Sequence, residues 1–180
     1  MADRLIWTVG HSTQERDQLV ALLRAHGMEQ LVDVRRYPAS RRNPQFNADE
    51  LAAALPAAGI AYEHVEALGG RRSRRRDSPN DGWTEPGFQG YADWMDTPEF
   101  EQALARLEAV ARERRTAVMC AEGMWWRCHR RLIADALVVR GWTVEHILPD
   151  GRAAPHELTP FAHVGEDGAL TYPAPQGRLI

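Results

Sequence analysis

Short apolar segments alternate with amphipathic segments along most of the chain, and this alternation is the feature that most restricts the fold. Between the apolar segments, leucines recur at helical spacing. Strand and helix in alternation favour an α/β fold, so we predict three layers: a mostly parallel sheet of about five strands with helices on both faces. The predicted strands are Leu5–Gly10, Leu31–Val34, Ile60–Val65, Thr116–Cys120 and Trp142–Ile147.

Two helix starts matter for the later argument. Ser12 and Glu15 have the spacing of a capping box before the first helix. The last predicted helix runs from about residue 126 to residue 140, because leucine and isoleucine recur there at helical spacing. Cys128 and His129 are therefore expected in its first turn, on the buried side.

The chain has 180 residues, of which 44% are hydrophobic. This is enough for one core, so we predict a single α/β domain over residues 1–150, with a Pro/Gly-rich C-terminal tail over 151–180 that packs on the domain or extends from it. No apolar run has the length of a membrane span, and the N-terminus lacks the long apolar stretch of a signal peptide. With only two cysteines, these features predict a cytoplasmic protein with reduced thiols and no membrane partner.

The basic residues are all arginines, and they cluster although the formal net charge is −3. The clusters lie in the segments VRRYPASRRNP, GGRRSRRRD and WWRCHRRL. Arginine suits bidentate binding of phosphate or carboxylate, so the predicted partner is an anionic small molecule or a nucleic acid. The sequence indicates neither a cofactor nor an oligomeric state.

Polar residues or glycines follow four of the predicted strands, at the point where each strand ends. In a parallel sheet the carboxyl ends of the strands share one edge, and ligands bind there. We therefore expect these residues to lie close together. They are His11, Asp33, Arg35, Gly69, Gly70, Cys120 and Glu122.

Both cysteines of the chain lie in the segment CAEGMWWRCHRR, Cys120–Arg131. A free cysteine usually packs as a small hydrophobe, which is the structural interpretation. A thiol at a helix N-terminus among arginines instead has a lowered pKa and is reactive. The spacing C-x6-R resembles the C-x5-R anion cradle of cysteine phosphatases only loosely, and C-x7-C-H matches no common zinc pattern.

Four motifs in order carry a family resemblance: TVGHS at Thr8–Ser12, DVRRYPAS at Asp33–Ser40, LGG at Leu68–Gly70 and CAEGMWWRCHR at Cys120–Arg130. Together they resemble the family known as domain of unknown function 488, over roughly residues 6–147. The resemblance implies a compact α/β fold. It implies no activity, because the family has no established general one.

The leading hypothesis is a thiol-dependent enzyme that acts on a phosphorylated or nucleic-acid-derived substrate at the carboxyl edge of the sheet. Cys120 or Cys128 is the predicted nucleophile and His129 or His11 the proton carrier, and both thiols should face one cleft. One alternative is a non-catalytic module that binds nucleic acid or phosphate, and another is a metal-dependent site that uses Cys and His. The predicted catalytic residues are Cys120, Glu122, Cys128, His129 and His11, and the predicted anion-binding residues are Asp33, Arg35, Ser40, Gly69, Gly70 and Arg130.

Overall fold

The computed structural model describes residues 4–175 and contains a six-stranded sheet in the order β3-β2-β4-β1-β5-β6. The first five strands are parallel, and β6 joins β5 antiparallel. A separate two-stranded antiparallel sheet pairs β7 with β8. The strands are β1 Leu5–Gly10, β2 Gln30–Asp33, β3 Ala61–His64, β4 Thr116–Cys120, β5 Thr143–Ile147, β6 Ala153–Pro155, β7 His163–Val164 and β8 Leu170–Thr171.

Five α-helices cover the two faces of the large sheet. Helices α1 and α2 pack on one face with leucines at helical spacing, and α3, α4 and α5 pack on the other. This confirms the α/β class and the layer order expected from the alternating segments. The helices are α1 Arg16–Ala25, α2 Ala48–Ala57, α3 Pro86–Trp94, α4 Pro98–Glu113 and α5 Arg130–Val139.

The connections that follow the neighbouring strands β2 and β4 run over opposite faces of the large sheet. The chain passes from β2 to β3 through α2 on one face, and from β4 to β5 through α5 on the other. The loops after β2 and β4 therefore diverge, which opens a crevice at their carboxyl ends.

Alternation along the strands decides which polar groups meet. Ile6 and Val118 face the α5 side, whereas Trp7 and Ala117 face the α1 side. Thr8 has the same parity as Ile6, and it is in register with His146 of β5. Buried polar residues of β1 and β5 are thus directed at α5.

Two predicted helix starts are wrong. Glu15, not Ser12, is the N-cap of α1 and forms a capping box with Gln18, while Ser12 has a left-handed backbone with φ of 52°. Helix α5 begins at Arg130 because residues 125–127 form a short 3-10 helix and Cys128 is extended. Cys128 and His129 therefore precede the helix and do not form its first turn. Hydrophobic spacing cannot distinguish a tight turn from the α-helix that follows it.

The segment after residue 150 adds a sheet edge that the sequence pattern does not indicate. Strand β6 pairs with β5 and ends at Pro155, a residue that suits an edge strand. The last five residues of the predicted tail, 176–180, lie outside the described residues. Among residues 4–175, none of the helices combines the length and the apolar character needed to cross a membrane.

Candidate functional site

A cavity of about 480 Å³ opens at the carboxyl ends of β2 and β4. Its lining comes from the loops after these two strands, from the segment after residue 69 and from the turn before α5. Both thiols face it, as predicted. The lining residues used below are Arg35, Arg36, Tyr37, Gly70, Arg71, Cys120, Glu122, Arg127, Cys128 and His129.

The two thiols contact each other at the floor of this cavity. Cys120 Sγ lies 2.8 Å from Cys128 Sγ, and both cysteines are free. Cys120 Sγ is also 3.5 Å from the carbonyl oxygen of Glu122, which can only accept a hydrogen bond. Cys120 can therefore donate its S–H proton to this carbonyl, whereas in the contact between the two thiols either sulfur can be the donor.

Arg130 lies beneath the thiols and is fully buried. Its Nε is 3.0 Å from Cys120 Sγ and 3.3 Å from Cys128 Sγ, and its backbone N–H also donates to Cys128 Sγ at 3.3 Å. Its Nη2 donates to the carbonyl oxygens of Glu122 and Gly123. Arg130 thus holds the loop after β4 and both sulfur atoms, and it does not line the cavity itself.

These contacts set the charge state of the thiols. Burial by itself would raise the pKa of Cys128, but the hydrogen bond from Cys120 and the nearby Arg130 guanidinium outweigh it and lower the pKa to about 5. Burial raises the pKa of Cys120 well above its ordinary value, and the contact with Cys128 adds to this effect. These shifts favour a thiolate at Cys128 and a neutral thiol at Cys120.

A buried hydrogen-bond chain continues from Arg130 away from the cavity. Arg130 Nη1 donates to Thr8 Oγ1 at 3.1 Å, and Thr8 Oγ1 is 2.6 Å from His146 Nδ1. His146 Nε2 is 2.8 Å from His156 Nδ1, whose other nitrogen is 2.7 Å from Asp135 Oδ1. A guanidinium only donates and a carboxylate only accepts, so every link can point from Arg130 to Asp135 with both imidazoles neutral.

Two aromatic side chains seal this chain of hydrogen bonds. The ring of Trp125 stacks on His146 with centroids 4.3 Å apart and planes 3° apart. Tyr172 OH donates to Asp135 Oδ2 at 2.7 Å. Burial, followed by the proximity of His156 and Arg130, lowers the pKa of His146 to about 2. His146 is therefore neutral throughout the physiological range.

Arg35 and Asp33 form a second buried group beside the cavity. Asp33 Oδ1 and Oδ2 accept from Nε and Nη2 of Arg35 at 2.9 and 2.7 Å. Tyr62 OH also donates to Asp33, and Arg35 Nη1 is 3.3 Å from His11 Nε2. Asp33 thus orients Arg35 and has no direct access to an anion. His11 stacks on Phe46 and lies behind Arg35, outside the cavity lining.

His129 lies at the cavity wall next to Cys128. Its Nε2 is 2.6 Å from the carbonyl oxygen of Val34, so Nε2 carries a hydrogen. Its Nδ1 faces Gly70, where an added Cβ would lie 3.1 Å away. At Gly69 an added Cβ would lie 2.5 Å from Cα of Arg36, so close approach of the backbone requires glycine at this position.

Two other predicted site residues lie at the margin. The Glu122 side chain is exposed at the cavity edge, and its backbone carbonyl makes the contacts with Arg130 and Cys120. Ser40 is outside the lining, and its Oγ accepts from the backbone N–H groups of Arg42 and Asn43. It stabilises the loop after β2 and does not reach the thiols.

The mouth of the cavity has more arginines than acidic residues, and the acidic residues are Glu85 and Glu122. Arg36, Arg71 and Arg127 line it, and the exposed ring of Tyr37 lies between Arg36 and Arg71 at 5.4 and 5.7 Å from their guanidinium carbons. Arg36 Nη1 donates to the carbonyl oxygen of Arg71, whose backbone φ is 58°. A left-handed backbone conformation is unusual for arginine and occurs where the surrounding structure imposes it.

Sequence reasoning missed the groups behind Arg130. Thr8 is a polar residue in an otherwise apolar strand, and His156 and Asp135 carry no local motif. Gly10 is also missed: a Cβ there would overlap the Glu122 carbonyl and lie 2.9 Å from Arg130 Nη2. A threonine inside a buried strand is the one signal that could have indicated this network.

Residues 15–137 match the family described as "Domain of unknown function DUF488". The chain belongs to this family. The match confirms the resemblance and includes both cysteines, Arg130, Asp33 and Arg35, whereas the TVGHS segment lies before the matched residues.

No curated protein and no solved structure matches the chain significantly. Among residues 4–175, no group of three or more His, Cys, Asp or Glu side chains is arranged to hold a metal ion.

Proposed function

We propose that this DUF488 protein is a thiol-dependent enzyme in which the Cys128 thiolate attacks an anionic substrate held at the cavity mouth. The substrate class is a phosphorylated or nucleic-acid-derived compound. The proposal requires a reduced thiol, which fits a reducing compartment such as the cytoplasm.

One observation carries the proposal: Arg130 is a fully buried cation without a carboxylate partner. In residues 4–175, no Asp or Glu oxygen lies within ion-pair distance of its guanidinium, in contrast to Arg35. A buried charge is stable only when it is paired. The nearest groups that can become anions are the sulfurs of Cys120 and Cys128, 3.0 and 3.3 Å from Arg130 Nε. Cys128 is the more exposed of the two and its pKa is lowered, so the proposed thiolate is that of Cys128, which faces the cavity.

The cationic mouth supports an anionic substrate. Arg71 and Arg127 are exposed, so their guanidinium groups can exchange water for phosphate oxygens, whereas Arg36 is paired with Glu66. The cavity volume of about 480 Å³ lies within the range of small-molecule sites.

His129 is the proposed proton carrier. Its Nε2 is fixed on the Val34 carbonyl, which leaves Nδ1 on the side of the cavity segment at Gly70. In this orientation Nδ1 can accept a proton from a nucleophilic water or, once protonated, donate it to a leaving group. His11 is less suited to this role because its Nε2 contacts Arg35.

The second candidate function is binding of nucleic acid or phosphate without chemistry. The exposed Tyr37 ring between two arginines favours it, because bases stack on such rings next to phosphate-binding cations. The two functions differ in whether Cys128 is needed.

Two alkylating probes of different charge test the leading proposal. Iodoacetate and iodoacetamide deliver the same electrophilic carbon, but only iodoacetate is anionic. We expect the folded protein to be alkylated at Cys128 near pH 6, with a preference for iodoacetate about tenfold above that of a free thiol. Intact-mass measurement over time gives both rates.

The variants Arg71→Ala and Arg127→Ala should each reduce this preference without lowering the iodoacetamide rate. Arg16→Ala is the matched control, because Arg16 is a partly exposed arginine outside the cavity that contacts Glu50. An unreactive Cys128 in the folded protein would overturn the enzyme proposal. Salt-sensitive oligonucleotide binding that persists in Cys128→Ser would then support the binding module.

A further inference from the structure

The two thiols form a pair that can be oxidised, independently of any substrate in the cavity. We propose that Cys120 and Cys128 are a redox-active dithiol that exchanges with low-molecular-weight disulfides and closes to an internal Cys120–Cys128 disulfide. This activity goes beyond the proposed function, because it requires the pair and not the anion site.

The geometry places the sulfur atoms close to bonding distance. They are 2.8 Å apart, and a disulfide bond measures about 2.05 Å, so closure requires a movement of less than about 1 Å. Cys120 ends β4 and Cys128 follows a short 3-10 turn, so neither belongs to a helix that would have to unwind. The loop between them can absorb the movement.

The two thiols differ in how accessible they are from the cavity, and we infer their order of reaction from this difference. Both thiols line the cavity, but Cys128 is half-buried whereas Cys120 is buried. A disulfide entering the cavity therefore meets Cys128 first. Cys128 is the attacking thiol and Cys120 the resolving thiol.

The exchange balances in two steps. The Cys128 thiolate attacks one sulfur of a disulfide RS–SR, which breaks the S–S bond, releases RS⁻ and forms a Cys128–S–SR mixed disulfide. Cys120 then loses its proton to solvent, and its thiolate attacks Cys128 Sγ and releases the second RS⁻. Two protein thiols are oxidised and one external disulfide is reduced to two thiols.

Arg130 assists both steps because one guanidinium contacts both sulfurs. In the mixed disulfide, the Cys128 sulfur is neutral and no longer repels a charge on Cys120. Arg130 Nε, 3.0 Å from Cys120 Sγ, can then stabilise the Cys120 thiolate. In the closed disulfide no anionic sulfur remains beside this buried cation, so the reduced form is favoured and the disulfide should be reduced readily.

The test uses oxidised glutathione with the folded protein near pH 7. The wild type should lose the mass of two hydrogen atoms and recover it with dithiothreitol. Cys120→Ser should stop at the mixed disulfide, with one glutathionyl group on Cys128. Cys128→Ser should react at least about tenfold more slowly than the wild type, because buried Cys120 is then the only thiol. Circular dichroism verifies that each protein is folded.

A wild-type protein that accumulates the mixed disulfide without closing would overturn the inference, as would equal rates for the two single variants. The outcome is separate from that of the proposed function, because oxidised glutathione replaces the substrate. Internal disulfide formation without the iodoacetate preference would support the dithiol and reject the anion site, and the reverse result would reject the dithiol alone.

Discussion

Two buried arginines flank the cavity, and they differ in what balances their charge. Arg35 is paired with the carboxylate of Asp33 through two hydrogen bonds. Arg130 contacts two sulfur atoms, a hydroxyl and two carbonyl oxygens instead. Both side chains are almost completely removed from solvent, at 7% and 0% exposure. Their stability therefore depends on different kinds of partner.

The Arg35–Asp33 pair is an ordinary ion pair, whereas Arg130 contacts thiols that can become reactive anions. Asp33 supplies a carboxylate counter-charge 2.7 Å from Arg35 Nη2. A thiol becomes an anion only when its surroundings favour it. In the proposed function, Arg130 therefore helps to stabilise the thiolate that balances its own charge, whereas Arg35 orients the adjacent wall of the cavity.

The far side of each guanidinium also differs. Arg35 Nη2 also donates to the Phe46 carbonyl, and Arg35 Nη1 is 3.3 Å from His11 Nε2. Arg130 Nη1 begins the chain through Thr8 and His146 that ends at Asp135. The Asp135 charge lies several links away, so it stabilises the orientation of Arg130 without neutralising it as a direct ion pair would.

Removing Arg35 should have the largest effect on stability. Arg35→Met leaves the Asp33 carboxylate buried with Tyr62 as its remaining side-chain donor, and we expect the free energy of unfolding to fall by about 3–5 kcal/mol. Urea unfolding at pH 7 measures this. Arg130→Met should cost less, because the Cys128 thiolate can take up a proton.

The double variant Asp33→Asn/Arg35→Met is the control for this comparison. It removes the unpaired charge and should recover part of the loss. If Arg35→Met and Arg130→Met destabilise equally, or if Asp33→Asn rescues nothing, the distinction between the two arginines does not exist.

Removing Arg130 should have the larger effect on reactivity. The thiolate is the reactive form, so the wild-type alkylation rate should rise with pH up to about 5 and then level off. In Arg130→Met the pKa of Cys128 returns toward 9.0, and the rate at pH 6 should fall by about a hundredfold.

Arg130→Lys should recover only part of the rate, because one ammonium cannot reproduce the guanidinium fork. Arg35→Met is the comparison variant and should leave the midpoint of the rate profile near its wild-type value. A midpoint that stays near 5 in Arg130→Met would show that the hydrogen bond from Cys120 determines the charge of Cys128.

The effect expected to be smallest at neutral pH concerns His146, behind Arg130, because it develops only below pH 6.5. Its pKa is about 2 when folded and 6.5 in the unfolded chain, so below 6.5 the unfolded state takes up a proton that the folded state does not. The associated stability is complete above pH 6.5 and is lost as the pH falls toward 2. This group contributes a slope of up to about 1.4 kcal/mol per pH unit.

His146→Asn removes the titrating group and should flatten the acid side of the stability profile by that amount. His163→Asn is the control, because His163 is exposed in the short strand β7. Parallel acid profiles for the wild type and His146→Asn would indicate that His146 is already protonated in the folded protein.

The fold and the strand ends could be predicted because they depend on local patterns. The apolar run Thr116–Cys120 predicts a buried strand whose last residue is a thiol, and the structure confirms this strand. The family assignment also follows from motifs in the sequence, and it is confirmed.

The roles of individual arginines could not be predicted. Arg127, Arg130 and Arg131 lie in one short segment, and the sequence pattern does not distinguish them. Their exposure depends on where α5 begins, and it begins at Arg130. Arg127 therefore reaches the cavity mouth, whereas Arg130 turns beneath the thiols. A shift of a few residues at a helix start rotates each side chain by a large fraction of a turn.

The sequence by itself determined the alternation of strands and helices, the polar strand ends and the family of this protein. Each of these depends on neighbours along the chain. The tertiary structure alone decided that Thr8, Cys120 and Arg130 meet, because β4 lies beside β1 and α5 packs on that face. Strand order and helix start are set by packing between distant segments. The same packing determines which groups contact the buried guanidinium of Arg130.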